Sequence, residues 1–267
     1  MPAHLADVGV IGGTGLYSLL TDAEQHVVET PYGEPSAALT VGEFGGRRVA
    51  FLPRHGEGHR YPPHAINYRA NLWALRAAGV RQVLAPCAVG GLRDTVAPGD
   101  LVAPDQLVDR TFRRVGSYVE TGAVHLPFAD PYCPRLLGGI DEVDDVRTGA
   151  TMVVVEGPRF STRAESRHYA AEGWDLINMT GAPEAALARE LQLCYAAIAV
   201  VTDMDAGAES GEGVGQAEVF ELFGRSLDRL RGVLERVVEA APDPDGCPCA
   251  TWADGIELTY LETRGHR

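Results

Sequence analysis

Two turns in the sequence offer groups that bind anions. All 23 basic residues are Arg and Lys is absent, so an anion must be held by arginine, histidine, hydroxyl and backbone N–H groups. Gly12-Gly13-Thr14-Gly15 lets the backbone approach an anion closely, and Thr14 adds a donor. In Pro53-Arg54-His55-Gly56, the planar guanidinium of Arg54 suits a phosphate and His55 can add another donor. Either turn alone is also compatible with an ordinary tight turn or with a surface arginine and a packed histidine, so the two turns by themselves do not establish an oxyanion site.

Several enzyme classes are excluded or disfavoured by the same residues. Without lysine the chain can form neither a Schiff base nor a GxxxxGK[ST] phosphate loop. A dinucleotide fingerprint that starts at Gly13 needs glycine at position 18, which is Ser18. No clear second strand ends in an acid about 20 residues further on. A nicotinamide-dependent oxidoreductase is therefore disfavoured.

Four further polar turns follow apolar runs in the same way. They supply small residues, hydroxyls, an aromatic ring able to stack on a flat ligand, and two carboxylates placed two residues apart. They are Cys87-Ala88-Val89-Gly90-Gly91, Glu156-Gly157-Pro158-Arg159-Phe160-Ser161, Asn178-Met179-Thr180-Gly181 and Thr202-Asp203-Met204-Asp205. Each turn alone is compatible with ordinary loop chemistry or helix capping. Because ligands of open α/β sheets gather outside the carboxyl ends of strands, the six turns together predict one site for a small polar aromatic ligand and an oxyanion.

Short apolar runs that alternate with longer helical patterns must position these turns. The predicted strands are Asp7–Ile11, Arg48–Leu52, Gln82–Ala85, Asp100–Ala103, Thr151–Val155, Leu176–Met179 and Cys194–Thr202. The predicted helices are Ile66–Ala78, Thr162–Ala171, Ala182–Leu191 and Ala217–Ala240, the last with one long apolar stripe. This alternation predicts a single α/β domain with a mixed, mostly parallel central sheet flanked by helices.

The composition of the chain limits its possible binding partners and its cellular location. The chain has 267 residues, is 45% hydrophobic and carries a formal net charge of −14, so nucleic acid is a poor partner. The longest apolar run, Cys194 to Val201, is far shorter than the roughly 20 residues of a membrane span. No signal peptide is evident, and five scattered cysteines do not resemble a secreted disulfide framework. We expect a cytoplasmic protein that binds no membrane.

The last 27 residues differ in composition from the rest. Residues 241–249 are rich in proline and acidic residues and contain Cys247-Pro248-Cys249. This CxC pair could oxidise or help to hold a metal, but no His or Cys partners are evident nearby. Two spare thiols in a surface loop are the favoured interpretation, and no metal site is expected. We treat 1–240 as the main unit and 241–267 as a C-terminal segment of the same domain.

Long motifs resemble a known family over residues 7 to about 240. Beside the turns given above, they include Asn67-Tyr-Arg-Ala-Asn-Leu-Trp-Ala-Leu, Asp105-Gln-Leu-Val-Asp-Arg-Thr and Glu156-Gly-Pro-Arg-Phe-Ser-Thr-Arg-Ala-Glu. These motifs closely resemble the 5′-methylthioadenosine phosphorylases, a branch of the trimeric purine nucleoside phosphorylases. The resemblance implies a homotrimeric glycosyltransferase in which phosphate attacks C1′ of a ribose while the purine departs. It implies no cofactor, since inorganic phosphate is the co-substrate.

The resemblance also implies roles for individual residues. Arg54, His55, Thr14 and Thr180 correspond to the phosphate cradle, to which Ala88 adds a backbone contact. Cys87 stands where the family usually has threonine, and a thiol is a poorer hydrogen-bond donor. Met179 corresponds to the residue beneath the ribose, and Phe160 to the ring that stacks on the purine.

The paired acids bear on the leaving group and on the choice of base. A neutral carboxylic acid near N7 could protonate the departing purine if burial raises its pKa, and Asp203 and Asp205 fit that need. Family members that act on 6-oxopurines typically carry Glu and Asn where this chain has Ser161 and Asp203. Adenine is therefore favoured, because a mispaired buried polar group costs about 1–3 kcal/mol.

The 5′ end of the substrate is less well defined. The resemblance implies a small apolar pocket, with His125 lent by a neighbouring subunit and Val214 and Val219 forming a wall. Gln216 stands where an apolar residue is common, which indicates either a solvated helix start or a changed 5′ preference. Methylthioadenosine is the leading substrate. The alternative substrates are a 6-oxopurine nucleoside, methylthioinosine or another 5′-substituted 5′-deoxyadenosine. A further alternative is a protein that binds purines without catalysis.

Overall fold

Apolar strands build the centre of the molecule in the computed structural model, which describes residues 4–13, 15–16, 19–208 and 215–262. Within this part of the chain, eleven strands form one sheet. The strands are β1 Val8–Gly12, β2 Thr21–His26, β3 Leu39–Phe44, β4 Arg47–Pro53, β5 Gln82–Gly91, β6 Leu101–Ala103, β7 Gln106–Arg110, β8 Val146–Thr148, β9 Thr151–Val155, β10 Leu176–Asn178 and β11 Cys194–Asp203.

Most neighbouring strands run parallel, so the predicted mixed and mostly parallel sheet is confirmed. β4, β1, β5 and β11 are joined by parallel pairings, as are β7, β9 and β10. β2, β3 and β4 form an antiparallel edge. β6 pairs antiparallel with β11 and parallel with β8.

Helices cover both faces of the sheet. They are α1 Tyr68–Ala77, α2 Pro134–Asp141, α3 Arg163–Ala171, α4 Gly181–Glu190, α5 Asp205–Ala208, α6 Gln216–Glu239, α7 Pro248–Thr251 and α8 Thr259–Glu262. Residues from α1 and α4 belong to one apolar core, whereas residues from α2 and α6 belong to a second. β11 separates these cores because successive side chains of a strand point to opposite faces. Ala197 and Ala199 enter the first core, and Ile198 and Val200 enter the second.

Two of the six polar turns reach the centre by a different route from the predicted common sheet edge. β10 is antiparallel to β5, and β9 is parallel to β10, so both run against β5. β5 is six residues longer than the predicted strand Gln82–Ala85, and β10 pairs with its last two residues, Gly90 and Gly91. The end of β10 therefore lies beside the last residues of β5, even though the two strands run in opposite directions. The expectation of one edge of parallel strands is wrong for these two turns.

The C-terminal CxC pair is not in a surface loop, so that expectation is also wrong. Cys247 and Cys249 are almost completely buried in the core that α2 and α6 share. Two glutamine side chains hydrogen-bond to backbone carbonyls of the C-terminal segment and help to hold it against the sheet. Gln82 Nε2 donates to the carbonyl of Pro242 at 2.7 Å, and Gln192 Nε2 donates to that of Ala250 at 2.8 Å.

The length and hydropathy of a helix decide whether it could span a membrane. None of the helices in the described ranges is both long enough and apolar enough to cross a lipid bilayer.

Candidate active site

One cavity gathers residues from all six polar turns. Arg54 and Asp203, which the sequence assigns to opposite ends of a ligand, line the same space. The predicted site residues that line it are Arg54, His55, Cys87, Ala88, Phe160, Ser161, Met179, Thr180, Asp203, Asp205 and Val219. Gly13 also lines it, whereas the predicted donor Thr14 lies outside the described residues. The predicted convergence of the turns on one cavity is confirmed.

Arg54 is buried, and its guanidinium is mostly occupied by the protein. Its Nε and Nη2 donate to the two carboxylate oxygens of Glu184 at 2.8 and 3.0 Å. Nη2 also donates to the carbonyl of Ile11 at 2.7 Å, and Nη1 donates to that of Pro86 at 3.1 Å. Four hydrogen bonds leave one of the five N–H groups, on Nη1, without a partner among the described residues. The fork is therefore paired with Glu184, and the predicted contact between Arg54 and an anion would rest on the remaining N–H of Nη1.

The ion pair keeps Arg54 charged in spite of its burial. Loss of water lowers the pKa of the guanidinium, but the charge of Glu184 and its hydrogen bonds outweigh this and raise the pKa above its usual value. Tyr195 donates a further hydrogen bond to Glu184 Oε2 at 2.8 Å. The single N–H left on Nη1 thus belongs to a rigid, permanently charged group.

His55 is neutral in this environment. Burial lowers the pKa of its imidazole to about 4, and the neighbouring His59 and Arg54 act in the same direction. Its Nδ1 lies 2.9 Å from the carbonyl of Tyr61, which can only accept, so Nδ1 carries the proton. Nε2 is then an acceptor. The prediction that His55 adds a donor does not hold for the neutral ring, and a ligand must bring the proton of that hydrogen bond.

Asn178, at the end of β10, connects the polar turns to each other. Its Oδ1 accepts from the backbone N–H groups of Thr180 and Gly181, both at 2.7 Å. Its Nδ2 donates to the carbonyl of Ala88 at 2.9 Å. The Thr180 hydroxyl lies 3.3 Å from the same Oδ1, a long contact that a ligand can replace. One amide side chain therefore orients both the Thr180 turn and the Ala88 backbone.

Cys87 lines the cavity as a neutral thiol. Its side chain is buried, and burial raises the pKa of the thiol to about 12 even though the Arg54 charge acts in the opposite direction. A neutral thiol is a weak hydrogen-bond donor. Cys87 therefore contributes shape and a weak polar contact to this side of the cavity, where threonine would contribute a hydroxyl.

The two acids lie at the far end of β11 in different environments. Burial raises the pKa of Asp203 to about 6, and the charge of Asp205 adds to this, whereas a hydrogen bond with Thr202 opposes it. The Thr202 hydroxyl lies 2.8 Å from Asp203 Oδ2 and 3.1 Å from the carbonyl of Val89. Asp205 is also buried, and its Oδ2 has no hydrogen-bond partner in the described structure. The pair can therefore supply a proton near neutral pH and also accept hydrogen bonds from a ligand.

Gly90 provides the space in front of the acids. A Cβ atom at this position would lie 2.9 Å from Ile177 Cγ2, 3.1 Å from Asp203 Oδ1 and 3.3 Å from the Cβ of Asp205. Any side chain here would crowd the carboxyl group of Asp203 and the Cβ of Asp205. The close approach requires glycine, and the sequence alone showed only a small-residue turn.

Aromatic and apolar side chains that the sequence prediction missed line the cavity as well. They are His59, Pro63, Ile177, Phe220 and Phe223. His59 stacks on His55 with 4.0 Å between ring centroids and makes an edge contact with Phe220 at 5.9 Å. Val219 and Phe223 belong to the apolar stripe of α6, which indicates a core-facing helix but does not separate core from cavity. Phe160 is about one-third exposed at the cavity mouth.

Two of the residues predicted for the 5′ end, Gln216 and His125, do not line the cavity of this chain. Gln216 is exposed at the first position of α6, which favours the solvated interpretation over a changed 5′ preference. His125 is exposed in the segment between β7 and α2 and is absent from the cavity wall of its own chain. Val214 lies outside the described residues.

Comparisons with known proteins agree on one family of enzymes. A family model described as the phosphorylase superfamily matches residues 7–240. The purine nucleoside phosphorylase of Streptomyces coelicolor is 54% identical, covering 94% of this chain and 96% of that protein. The S-methyl-5′-thioadenosine phosphorylase of Mycolicibacterium smegmatis is 52% identical, covering 95% and 98%. A solved methylthioadenosine phosphorylase from Schistosoma mansoni in complex with adenine has a TM-score of 0.83 at 36% identity, covering 89% of this chain and 93% of that one.

Proposed function

This chain belongs to the phosphorylase superfamily, and we propose that it cleaves the N-glycosidic bond of 5′-methylthioadenosine with inorganic phosphate. The products are adenine and 5-methylthioribose 1-phosphate. The observation that carries this proposal is the single cavity lined both by an anion-binding group, Arg54, and by an acid with a raised pKa, Asp203. The reaction needs these two groups at opposite ends of one nucleoside.

Phosphate is held by a small number of directed groups. Arg54 supplies one N–H and a permanent positive charge, Thr180 supplies its hydroxyl, and the Gly13 and Ala88 turns supply backbone contacts. The remaining O–H of monohydrogen phosphate donates a hydrogen bond to Nε2 of the neutral His55, and the proton stays on the phosphate. This orients an unprotonated phosphate oxygen toward C1′. The anion also stabilises the positive charge that develops on the sugar.

The departing purine takes up a proton from the acids. As the N-glycosidic bond breaks, its electron pair enters the purine ring, and a carboxylic acid beside N7 neutralises that charge. Asp203 has the pKa for this role, because it is partly protonated near neutral pH. Asp205 Oδ2 is a buried acceptor without a protein partner, which suits the N6 amino group of adenine. A 6-oxopurine would instead turn its O6 acceptor toward this carboxylate.

The names of the relatives do not decide the base, since proteins called purine nucleoside phosphorylase and methylthioadenosine phosphorylase match at 54% and 52% identity. The S. coelicolor name favours a second candidate function, phosphorolysis of a 6-oxopurine nucleoside. The acids favour adenine. The apolar wall of Val219, Phe220 and Phe223 favours a methylthio group over a hydroxyl at the 5′ position.

The proposal extends to the oligomeric state and the cellular location of the enzyme. The enzyme acts as a cytoplasmic homotrimer in which His125 of each chain completes a neighbouring 5′ pocket. Support comes from the exposure of His125 together with that of Phe112 and Val115, which are 75% and 59% exposed in the same segment. Exposed large apolar side chains concentrated in one segment favour an interface there. Phosphate is the co-substrate, and no cofactor takes part.

The test is a substrate panel that varies the base and the 5′ group independently. Methylthioadenosine, adenosine, methylthioinosine and inosine are incubated with the enzyme in the presence and absence of phosphate, and the free base is measured. We expect phosphate-dependent release of adenine, fastest from methylthioadenosine. Faster release of hypoxanthine would replace the base assignment with the second candidate, and release without phosphate would overturn phosphorolysis. If no substrate releases its base but calorimetry detects nucleoside binding, the result would indicate a purine-binding protein.

A further inference from the structure

A second group of reactive side chains lies in the core, away from the cavity. The sulfur atoms of Cys133, Cys194, Cys247 and Cys249 all lie within 4.8 Å of one another, and all four residues are buried. We call this group the thiol cluster. Cys133 precedes α2, Cys194 begins β11, and the other two flank the start of α7. Three distant parts of the sequence thus converge on one point.

The spacing of the sulfur atoms matches the edges of a metal–thiolate tetrahedron. A Zn–S bond of about 2.3 Å places neighbouring sulfur atoms about 3.8 Å apart. Cys133 Sγ and Cys247 Sγ are 3.6 Å apart, and the widest separation in the cluster does not exceed 4.8 Å. Small side-chain rotations are sufficient to bring four sulfur atoms onto one ion.

The donor set and its surroundings select the kind of ion. Four thiolates are soft ligands that favour zinc or iron over magnesium or calcium, and a set of four sulfurs with no open position is typical of a structural site. The cluster lies in the apolar core that α2 and α6 share, where side chains such as Ile140 and Leu234 exclude water. An enclosed ion in such a place has no room for substrate.

We propose that the thiol cluster is a structural Zn²⁺ site. Binding replaces four S–H protons by one ion and releases four protons to solvent, so no oxidant or reductant is needed. The ion would join the start of β11, the start of α2 and the C-terminal segment. Cys194 and Asp203 are nine residues apart along β11, about 30 Å at strand geometry, so the ion lies too far from the acids to take part in the reaction.

The experiment measures metal directly and does not depend on the proposed function. The full-length protein is produced in zinc-supplemented medium and purified under reducing conditions without chelators. We expect about one zinc ion per chain by elemental analysis. Protein produced with cobalt in place of zinc should show the visible absorption of tetrahedral Co²⁺ and the ultraviolet charge-transfer band of cobalt thiolates.

Variants locate the ion. Cys133→Ser and Cys249→Ser should each lower the zinc content at least severalfold, whereas Cys87→Ser should retain the full content, because Cys87 is the one cysteine outside the cluster. The readout for Cys87→Ser is metal content only, since that residue lines the cavity. If the cluster variants fail to fold, the spectrum of the cobalt-loaded wild type still decides the question.

Two outcomes would overturn the proposal. One is a reduced wild type that binds neither zinc nor cobalt and has all five thiols titratable after unfolding. The other is a native protein in which four thiols become titratable only after reduction, which would indicate two disulfides in place of an ion. Activity is not a readout, so a negative result here leaves the phosphorolysis proposal untouched.

Discussion

The two ends of β11 carry sulfur at one end and carboxyl groups at the other. Cys194, at the start, is packed among other thiols in an apolar core. Asp203, at the end, lines an open cavity beside Asp205, whose Oδ2 has no protein partner. Between them the strand is buried on both faces. The buried strand thus separates polarisable groups that are enclosed in an apolar core from carboxyl groups that face an open cavity.

The contrast between the two ends of β11 shows where the fold accepts buried polar side chains that have no protein partner. At the cavity, burial holds Asp203 with a raised pKa and leaves Asp205 Oδ2 without a partner, which costs stability. Arg54 lines the same cavity, but its charge is largely paired with Glu184. Substitutions can therefore distinguish polar residues that bind a ligand from polar residues that stabilise the fold.

The largest effect on activity is expected from Asp203→Ala. Loss of a general acid lowers the rate about 10²- to 10⁴-fold, so kcat/KM for methylthioadenosine should fall in that range. Stability at neutral pH should not fall, because the variant removes a buried carboxyl whose raised pKa disfavours folding when it is ionised. Asp228→Asn, at an exposed position of α6, is the matched control and should change neither quantity. A kcat/KM within threefold of the wild type would exclude Asp203 as the acid.

Glu184→Ala should have the largest effect on stability at this end of the molecule. It leaves the buried Arg54 charge without its partner, and breaking a buried pair in this way costs about 3–5 kcal/mol. Chemical denaturation measures the loss. Glu221→Ala, which removes an exposed pair with Arg225 on α6, should cost less than about 1 kcal/mol. Equal losses in the two variants would show that the Arg54 pair is not a buried structural interaction.

Gly90→Ala tests the space in front of the acids. The added methyl group would overlap Ile177 and press on Asp203 Oδ1, and overpacking of this kind costs about 1–3 kcal/mol. We expect kcat/KM to fall about 10-fold or more, together with a change in the pKa of Asp203. Gly138→Ala is the control, because a methyl group there meets no atom within 4 Å of its position on α2. Full activity in Gly90→Ala would mean that the substrate does not use this space.

The pH dependence of the wild type tests the same acid without a substitution, and close to neutral pH its effect is small. If Asp203 is the acid, as proposed, its protonated form is the active one, and kcat/KM should fall about tenfold per pH unit above its pKa of about 6. The raised pKa also means that the protonated Asp203 carboxyl favours the folded state. This contribution to the free energy of unfolding is complete below the unfolded pKa of about 4 and is lost as the pH rises through 6. Asp203→Asn should lose both dependences when phosphate is saturating. An unchanged profile in that variant would assign the titration to another group.

Motifs at the ends of predicted strands are enough to identify much of the cavity lining from the sequence. Phe160, Met179, Thr180 and the two acids line the predicted cavity because a turn that follows a buried strand must emerge at the surface of the sheet. The extension of β5 beyond Ala85 was missed, since Pro86 and the following glycines are typical of a strand end. β2 was missed for a different reason. Its six residues are exposed or half-buried and contain only one apolar side chain, so no apolar alternation marks it.

The sequence by itself determined the fold class, the turns that meet at the cavity and the absence of lysine chemistry, because these depend on local periodicity and residue type. Only the tertiary structure decided how each polar group is used. It pairs the guanidinium of Arg54 with Glu184, neutralises His55 by burial and brings Cys133 and Cys194 to the CxC pair. Each of these outcomes depends on partners more than 50 residues away or on the exclusion of water, and neither is encoded in local spacing.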